Sequence, residues 1–461
     1  MRDITPLVAP ESIAVIGAST NPEKSGGILF NNLLQGGFSG PLYPINPRAA
    51  EVMGRKAYPT VLEVAEPIDL AYVVLPRQFV KDAITQCADA GVRAACIITA
   101  GFSEVGDSGR KDEEELRELA RERGILLAGP NTIGMVNAEC GMMGSFVNFP
   151  KWEPGSISLF TQTGIFTGAL MLQVMSQETQ RLPVGKSIDV GNKVDVDELD
   201  FLEFAASDES TKVIGFYLES LSNPRTFLER AGEIAATKPI VVLKPGRTEA
   251  GARASSSHTG SLATDDAMFG AGLRQFGIVR AQDEQEFVNI LRAFAPMCLP
   301  RGRRLAIATT SGALGVISVD LAGDYGLELT DFAPETTERL QEILPDWLKP
   351  ANPFDFWIGI DVKGPEEAHR TALGAIVADP NSDIILCTLL APPNADFPGF
   401  ANLMSEVRQA SPDKPIIMVI YGGDVRGRWI KALEGLSIPV YTSIREALSV
   451  LAALAGRAAK D

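Results

Sequence analysis

The 461-residue sequence predicts an α/β protein built from three successive units with parallel sheets, and three observations predict it. Short apolar runs rich in β-branched residues end at Gly, Pro or a polar turn. Amphipathic stretches with apolar residues at helical spacing lie between them. The pattern of strand, polar turn and helix also restarts twice, at Gly155 and at Arg301. Near-continuous apolar strands alternating with helices belong to parallel sheets covered on both faces. At about 150 residues per domain the length agrees. The units are expected at residues 1–150, 151–298 and 299–461.

In the first unit, Ser12–Ile16 is expected as a strand followed by Gly17-Ala18-Ser19, and Leu42–Ile45 as a strand followed by Asn46-Pro47-Arg48. Further strands are read at Leu70–Leu75, ahead of Pro76, at Ala94–Thr99, and at Ile125–Ala128, ahead of Gly129-Pro130-Asn131. Phe79–Ala90 and Asp112–Arg123 read as helices. In the second unit, Ile157–Thr161 leads through Gln162-Thr163-Gly164 into a helix reaching Met175, and Val213–Leu218 and Ile240–Leu243 are strands. In the third, Leu305–Thr309 leads through Thr310-Ser311-Gly312 into a helix, followed by strands Ile384–Leu389, Ile416–Ile420 and Val440–Tyr441.

Composition narrows the function classes. Apolar residues are 45% and charged residues 22% of the chain, as in ordinary globular proteins. The net charge of -16 argues against a nucleic-acid partner, whose phosphates require a basic surface. It does not argue against a small phosphorylated ligand held by backbone amides and a local cation. Five cysteines without a CxxC pair read as reduced thiols of a cytoplasmic protein, and Cys140, with no identifiable base, reads as structural. No signal peptide is evident, and no apolar run reaches the roughly 20 residues a bilayer span needs.

Four segments could carry chemistry. Gly17 after the first strand permits a tight turn and close approach of a phosphate to the next helix. The complete GxGxxG pattern and its ribose-binding acid are missing, and Arg48 suits a phosphate better than a ribose diol, so a phosphorylated adenosine compound is favoured over NAD. Thr161-Gln162-Thr163-Gly164, at a strand-to-helix turn, is an anion site or simply a helix cap. His258, in Ser257-His258-Thr259-Gly260-Ser261, reads as part of a Ser/Thr/Gly-rich loop, either solvated or a phosphoryl acceptor. Glu219, closing the strand at Phe216-Tyr217-Leu218, either reaches solvent or holds one nitrogen of His258 while the other attacks phosphorus. The second histidine, His369, reads as a surface residue of a helix over Glu366–Val377.

Taken in order, these segments resemble the α-type chain of ADP-forming acyl-CoA synthetases and, more distantly, the α subunit of succinyl-CoA synthetase. The most specific stretch is Ser257-His258-Thr259-Gly260-Ser261-Leu262-Ala263, preceded by Lys244-Pro245-Gly246-Arg247-Thr248-Glu249-Ala250-Gly251. Gly129-Pro130-Asn131, Thr161-Gln162-Thr163-Gly164, Val190-Gly191-Asn192-Lys193 and Asn352-Pro353-Phe354-Asp355 complete the series over the whole chain. The resemblance implies an N-terminal Rossmann-like CoA-binding domain followed by two flavodoxin-like, succinyl-CoA ligase-like domains. It assigns Gly17, Ala18 and Ser19 to CoA phosphates, Arg48 to a basic CoA contact, Val74 and Pro76 to the adenine side, and Asn131 to the thioester end. It assigns Thr163, Gly164 and Gly260 to the phosphoryl group, His258 to carrying it, and Glu219 to orienting the histidine. Thr161 and Thr163 stand where serines are usual, and Thr132 where many relatives have Cys.

The family's nucleotide site lies in an ATP-grasp domain, and the three units account for these 461 residues. The resemblance therefore implies a separate ATP-grasp β chain holding ATP or ADP with Mg2+, in an α2β2 assembly. Three rivals are a CoA-responsive regulatory or scaffold protein, an NAD-type oxidoreductase, and an ATP-independent acyl or carbamoyl transferase. The retained His258, Glu219 and phosphate turn disfavour the first, the incomplete dinucleotide fingerprint the second, and the phosphorylatable loop the third. The acid substrate is not legible.

Overall fold

The computed structural model describes residues 2–150, 152–177, 179, 181–259, 265–393 and 396–458; for residues 255–259 and 458 the description is of the backbone. The chain forms two compact units. One comprises Met1–Ser176 with Leu182–Gln282, the other Gln177–Arg181 with Asp283–Asp461.

The first unit carries two sheets. Strands Ile13–Ile16, Leu42–Ile45, Leu70–Val73, Ala94–Ile97 and Leu126–Ala128 pair in parallel. Counted along the chain, their spatial order is 2-1-3-4-5. Strands Ile157–Thr161, Val184–Asp189, Val213–Tyr217, Ile240–Leu243 and Val279–Ala281 repeat that order in the second sheet. This order leaves the first strand between its second and third neighbours, and the crevice beyond its carboxyl end is the ligand position of such sheets. An apolar core that includes Val15, Phe30, Tyr72, Phe160, Phe201 and Phe216 runs through both sheets. The ring of Phe160 lies 5.3 Å from those of Phe201 and Phe216.

Two strands not expected from the sequence, Gly134–Asn137 and Met142–Ser145, extend the second sheet antiparallel beyond Val184–Asp189. They fall within 1–150, the range read as the first domain. Helix Ser25–Gln35 packs on Met142–Ser145, and Asn32 donates to the carbonyls of Ser145 and Val147.

The second unit carries strands Arg304–Thr309, Glu328–Leu329, Ile384–Leu390, Ile416–Tyr421 and Val440–Tyr441, again in the order 2-1-3-4-5, with Phe354–Asp355 paired to the end of the first. Helix Glu284–Phe294, inside the range read as the second domain, packs here against helix Ile444–Ala458.

His369 is not a surface residue, contrary to the sequence reading. It is fully buried on helix Pro365–Ala378. Its ring centroid lies 5.1 Å from that of Phe356, 5.4 Å from Phe397 and 5.7 Å from Trp429. Its Nδ1 is 2.7 Å from the carbonyl oxygen of Pro365, and burial pushes its pKa down to about 4. Glu366 and Glu367 mark the exposed side of the first turn, but His369 shares the inward stripe with Ala372, Leu373 and Ile376 at helical spacing. No helix among the described residues is long and apolar enough to cross a membrane.

Candidate functional site

The first candidate turn sits at the crevice of the first sheet. Gly17 takes a left-handed φ of 91°, and its N–H donates to the carbonyl of Ile45. A Cβ at Gly17 would lie 2.3 Å from the carbonyl oxygen of Val74, so only glycine lets this turn close against the third strand. Gly26, in the first turn of helix Ser25–Gln35, approaches the Gly17 carbonyl so closely that a Cβ there would lie 2.1 Å from it. The fold thus delivers the start of a helix beside the Gly17 turn, the arrangement that accepts a phosphate. Asn46 holds the turn from the second strand: its Nδ2 donates to the Ala18 carbonyl, and its Oδ1 accepts from the Arg48 N–H. Ala18 is buried, Ser19 half-buried, and Arg48 and Pro76 are exposed around the crevice with half-buried Val74. Gly17, Ala18, Ser19, Arg48, Val74 and Pro76 are therefore brought to one sheet end.

The second candidate turn occupies the same position on the second sheet. Thr161 is buried, and its hydroxyl donates to the Thr163 carbonyl at 3.1 Å and meets the Thr167 hydroxyl at 2.6 Å, which fixes the loop ahead of a helix over 164–175. Gln162 ties the turn to the next strand end. Its Oε1 accepts from the N–H groups of Glu219 and Ser220, both at 3.0 Å, and its Nε2 donates to the Ser220 hydroxyl. Glu219 is buried and accepts from the Tyr217 hydroxyl at 3.3 Å; burial, and then the neighbouring carboxylate, raise the Tyr217 pKa. Lys193 and Glu198 brace the following residues. The Lys193 ammonium reaches Glu198 at 2.7 Å and the Ser220 carbonyl at 2.8 Å, while Glu198 accepts from the Ser222 N–H.

A cavity of about 320 Å³ opens on this turn, and Asn131, Thr163, Gly164, Asp189 and Asn192 line it. Two loops interlock around it. The Pro130 carbonyl accepts from the Asn192 N–H at 2.9 Å, and a Cβ at Gly191 would lie 2.3 Å from that same oxygen. Asn131 has a left-handed φ of 60° and donates to Asn192 Oδ1 at 3.3 Å, and Asn192 donates to Ser103, Glu104 and Glu113. Against burial, which acts upward, the Gly101 N–H and then the Asn192 amide hold the Glu104 carboxyl below its ordinary pKa.

Asp189 was not singled out in the sequence. Its carboxyl is buried, accepts from the Ile133 N–H at 2.8 Å and the Gly191 N–H at 3.2 Å, and is pushed up to about 6 chiefly by burial. The signal that marks Glu219, an acid closing an apolar run, is absent here, because Lys186 and Ser187 interrupt strand Val184–Asp189. Gln162 and Asn192 belong to motifs already noted, but their clamping roles required the neighbouring strands to be placed.

His258 corrects one local expectation. Its backbone lies in helix Glu249–Thr259, not in an irregular loop. Glu249, Ala250, Ala252, Arg253 and Ala254 favour helix, and Thr248 Oγ1 accepts from the Gly251 N–H at the helix start. The His258 side chain and Gly260 lie outside the described residues, so their distances to Glu219 and Thr163 are not part of this geometry.

Residues 11–138 match a family described as a CoA binding domain, and residues 154–294 match a succinyl-CoA ligase like flavodoxin domain. The chain is 37% identical over 453 residues to acetate–CoA ligase [ADP-forming] II of Archaeoglobus fulgidus, covering 97% of this chain and 66% of that protein. It is 35% identical to acetate–CoA ligase [ADP-forming] II subunit alpha of Pyrococcus furiosus, covering 94% of this chain and 93% of that one. A solved structure of the dinucleotide-forming acetyl-coenzyme A synthetase 1 of Ca. Korarchaeum cryptofilum, in complex with phosphate and ADP, superimposes with a TM-score of 0.91 at 32% identity, covering 100% of this chain and 97% of that one. With both domains matched in order and near-complete coverage of an α subunit, the chain belongs to the family of ADP-forming acid–CoA ligase α chains, related to succinyl-CoA ligase.

Proposed function

We propose that the chain is the CoA-binding, phosphoryl-carrying α subunit of an enzyme that interconverts a carboxylic acid, CoA and ATP with acyl-CoA, ADP and phosphate. An acyl phosphate and a phosphorylated His258 divide the reaction into simple displacements. The observation that carries this reading is the pairing, in one compact unit, of a phosphate-accepting crevice at Gly17 with a second crevice at Thr163–Gly164, whose cavity also takes in Asn131.

CoA fits the first crevice because Gly17 lets the turn close on Val74 and Gly26 brings the start of helix Ser25–Gln35 against it, which sets backbone N–H groups at the sheet end for its phosphates. Gly17, Ala18 and Ser19 hold the phosphates, Arg48 adds a cation, and Val74 and Pro76 flank the adenine. CoA supplies the thiol that exchanges with phosphate at the acyl carbon. Within the second crevice, the Thr163 and Gly164 amides receive the phosphoryl oxygens together with Gly260, and a helix start contributes about 0.3–2 kcal/mol toward such a charge. Glu219, clamped by Gln162 and Tyr217, orients the His258 imidazole so that one nitrogen is free to attack.

The division into 1–150, 151–298 and 299–461 assigns these tasks to the first two domains. An ATP-grasp β chain holding Mg2+ and the nucleotide completes the enzyme, as an α2β2 assembly. The five unpaired cysteines suit a reducing cytoplasm.

The test is to co-purify the native partner and screen carboxylic acids for CoA-dependent ATP consumption. Calorimetry on the chain alone should detect CoA binding, and the chain alone should not turn over ATP. Ligation driven by ATP with the single chain would remove the two-chain reading, and a folded chain that fails to bind CoA would remove the first-crevice assignment.

A further inference from the structure

We propose that Asp189 shares a proton with the anion bound at the Thr163–Gly164 turn, so that this cavity takes up a proton when it fills. The proposal rests on reading that turn as the phosphate contact. Two N–H donors, from Ile133 and Gly191, fix the carboxyl plane and use two of its roughly four lone-pair sites. The carboxyl lines the same cavity as Thr163 and Gly164, and its Oδ2 lies 3.8 Å from where a Cβ of Gly164 would stand. An oxyanion on the turn is therefore a neighbour of this carboxyl.

Among the described residues, the groups facing Asp189 do not neutralise it. From the end of strand Val213–Tyr217 comes Glu219, a like charge. From strand Ala94–Ile97 comes the Cys96 thiol, which burial and Asp189 hold neutral. The Gly129–Ile133 loop presents the Thr132 hydroxyl, which donates to the Asp189 carbonyl at 2.6 Å. The turn presents Gln162 and Thr163, both uncharged. In its own loop, the Lys193 ammonium is engaged by Glu198 and Ser220.

An ionised carboxylate only accepts hydrogen bonds, as does a fully ionised oxyanion, so two such groups meet only if one proton lies between them. The free carboxyl already has its pKa raised to about 6, so carrying a proton at pH 7 costs only about tenfold in affinity. An added anion raises the pKa further in the same direction as Glu219 does.

Sulfate separates the protein's proton from the ligand's, because sulfate carries none at neutral pH. Calorimetric titration of the full chain with sulfate, in buffers of different ionisation enthalpy, should show uptake approaching one proton at pH 7, with affinity falling up to about tenfold per pH unit above that. Asp189→Asn should bind sulfate with no uptake and little pH dependence, and Asp189→Ser repeats the test should the amide disturb the two N–H donors. Sulfate binding without proton uptake by the wild type, or uptake that persists in both variants, overturns the proposal. Gly164→Ala, whose Cβ would stand 2.6 Å from Ile133 Cγ2, separates the two readings. If it binds sulfate as the wild type does, or if the wild type binds neither sulfate nor inorganic phosphate, the phosphate-turn reading fails and the proposal with it. If Gly164→Ala loses binding while uptake survives in the Asp189 variants, only the Asp189 assignment fails.

Discussion

The turns Thr161-Gln162-Thr163-Gly164 and Thr309-Thr310-Ser311-Gly312 end the first strands of two sheets with the same strand order, and they are pinned alike. Thr161 Oγ1 donates to the Thr163 carbonyl at 3.1 Å, and Thr309 Oγ1 to the Ser311 carbonyl at 3.0 Å. Their neighbours differ. Beside the first turn, the adjoining strand ends deliver Asp189 and Glu219, and a cavity reaches Asn131. Beside the second, the polar groups are spent on structure: Thr310 Oγ1 accepts from the Leu390 N–H, the Thr388 hydroxyl donates to Thr309, and Asp355 accepts from the Trp357 N–H. One local device thus stands beside buried carboxylates and a cavity in one place and among strand-cohesion bonds in the other. What decides is which side chains stand beyond the ends of the neighbouring strands.

The largest expected effect tests the phosphoryl-carrying role proposed for His258 with the first turn. His258→Ala should abolish an acid-labile, base-stable phosphoryl label from acyl phosphate, while CoA affinity measured by calorimetry stays near wild type. Glu219→Gln should slow labelling by about 10²–10³-fold with thermal stability preserved, the usual cost of losing one preorganised electrostatic partner. An equal loss of labelling from Thr310→Val would break the contrast between the two turns.

The next effect belongs to the second unit and to pH. His369 has its pKa pushed down to about 4 in the folded state against about 6.5 unfolded. Between these values the unfolded chain binds a proton that the folded chain does not. The stability present above pH 6.5 is therefore lost as pH falls toward 4, by about 3 kcal/mol. Urea unfolding followed by the fluorescence of Trp429 should reveal this slope, and His369→Leu should flatten it. His369→Ala should leave labelling intact but cost about 2–5 kcal/mol as a core truncation.

Smaller still, Thr310→Val should cost about 1–3 kcal/mol of second-unit stability by leaving the Leu390 N–H without its acceptor, with no change in CoA binding. Arg48→Ala should weaken CoA binding by about 1 kcal/mol, roughly fivefold, and reduce its salt dependence, because Arg48 is exposed and its interaction with a phosphate is screened. Calorimetry at two salt concentrations checks it.

Much of the fold was legible because buried parallel strands must be apolar along their length. Ile157–Thr161, Ile240–Leu243, Leu42–Ile45 and Val440–Tyr441 stand where the pattern puts them, and the others shift at their ends by one or two residues. Val184–Asp189 is not legible as a strand because Lys186 interrupts its apolar run. That lysine is buried only because Asp208 and Glu139 pair with it, at 2.8 and 3.0 Å, from outside the strand. The strands Gly134–Asn137 and Met142–Ser145 carry Gly, Asn and Ser; the first becomes a strand through pairing with Val184–Asp189, and the second through pairing with the first and packing against helix Ser25–Gln35. The Ser-rich segment at His258 has the composition of a loop, although the helix-favouring residues before it carry a helix through Thr259.

The sequence by itself determined the three-fold recurrence of strand, turn and helix, the glycine that the Gly17 turn demands, and the order of motifs that marks the family. These depend on local sterics and on periodicity, which each segment carries within itself. Only the tertiary structure decided that Gln162 grips the Glu219 backbone, that Asn131 and Asn192 interlock, that Asp189 lies buried beside Gly164, and that His369 is enclosed by aromatic rings. Such facts depend on which strand lies beside which, and on burial that shifts a proton equilibrium. Both arise between segments distant in the chain, where no local pattern reaches.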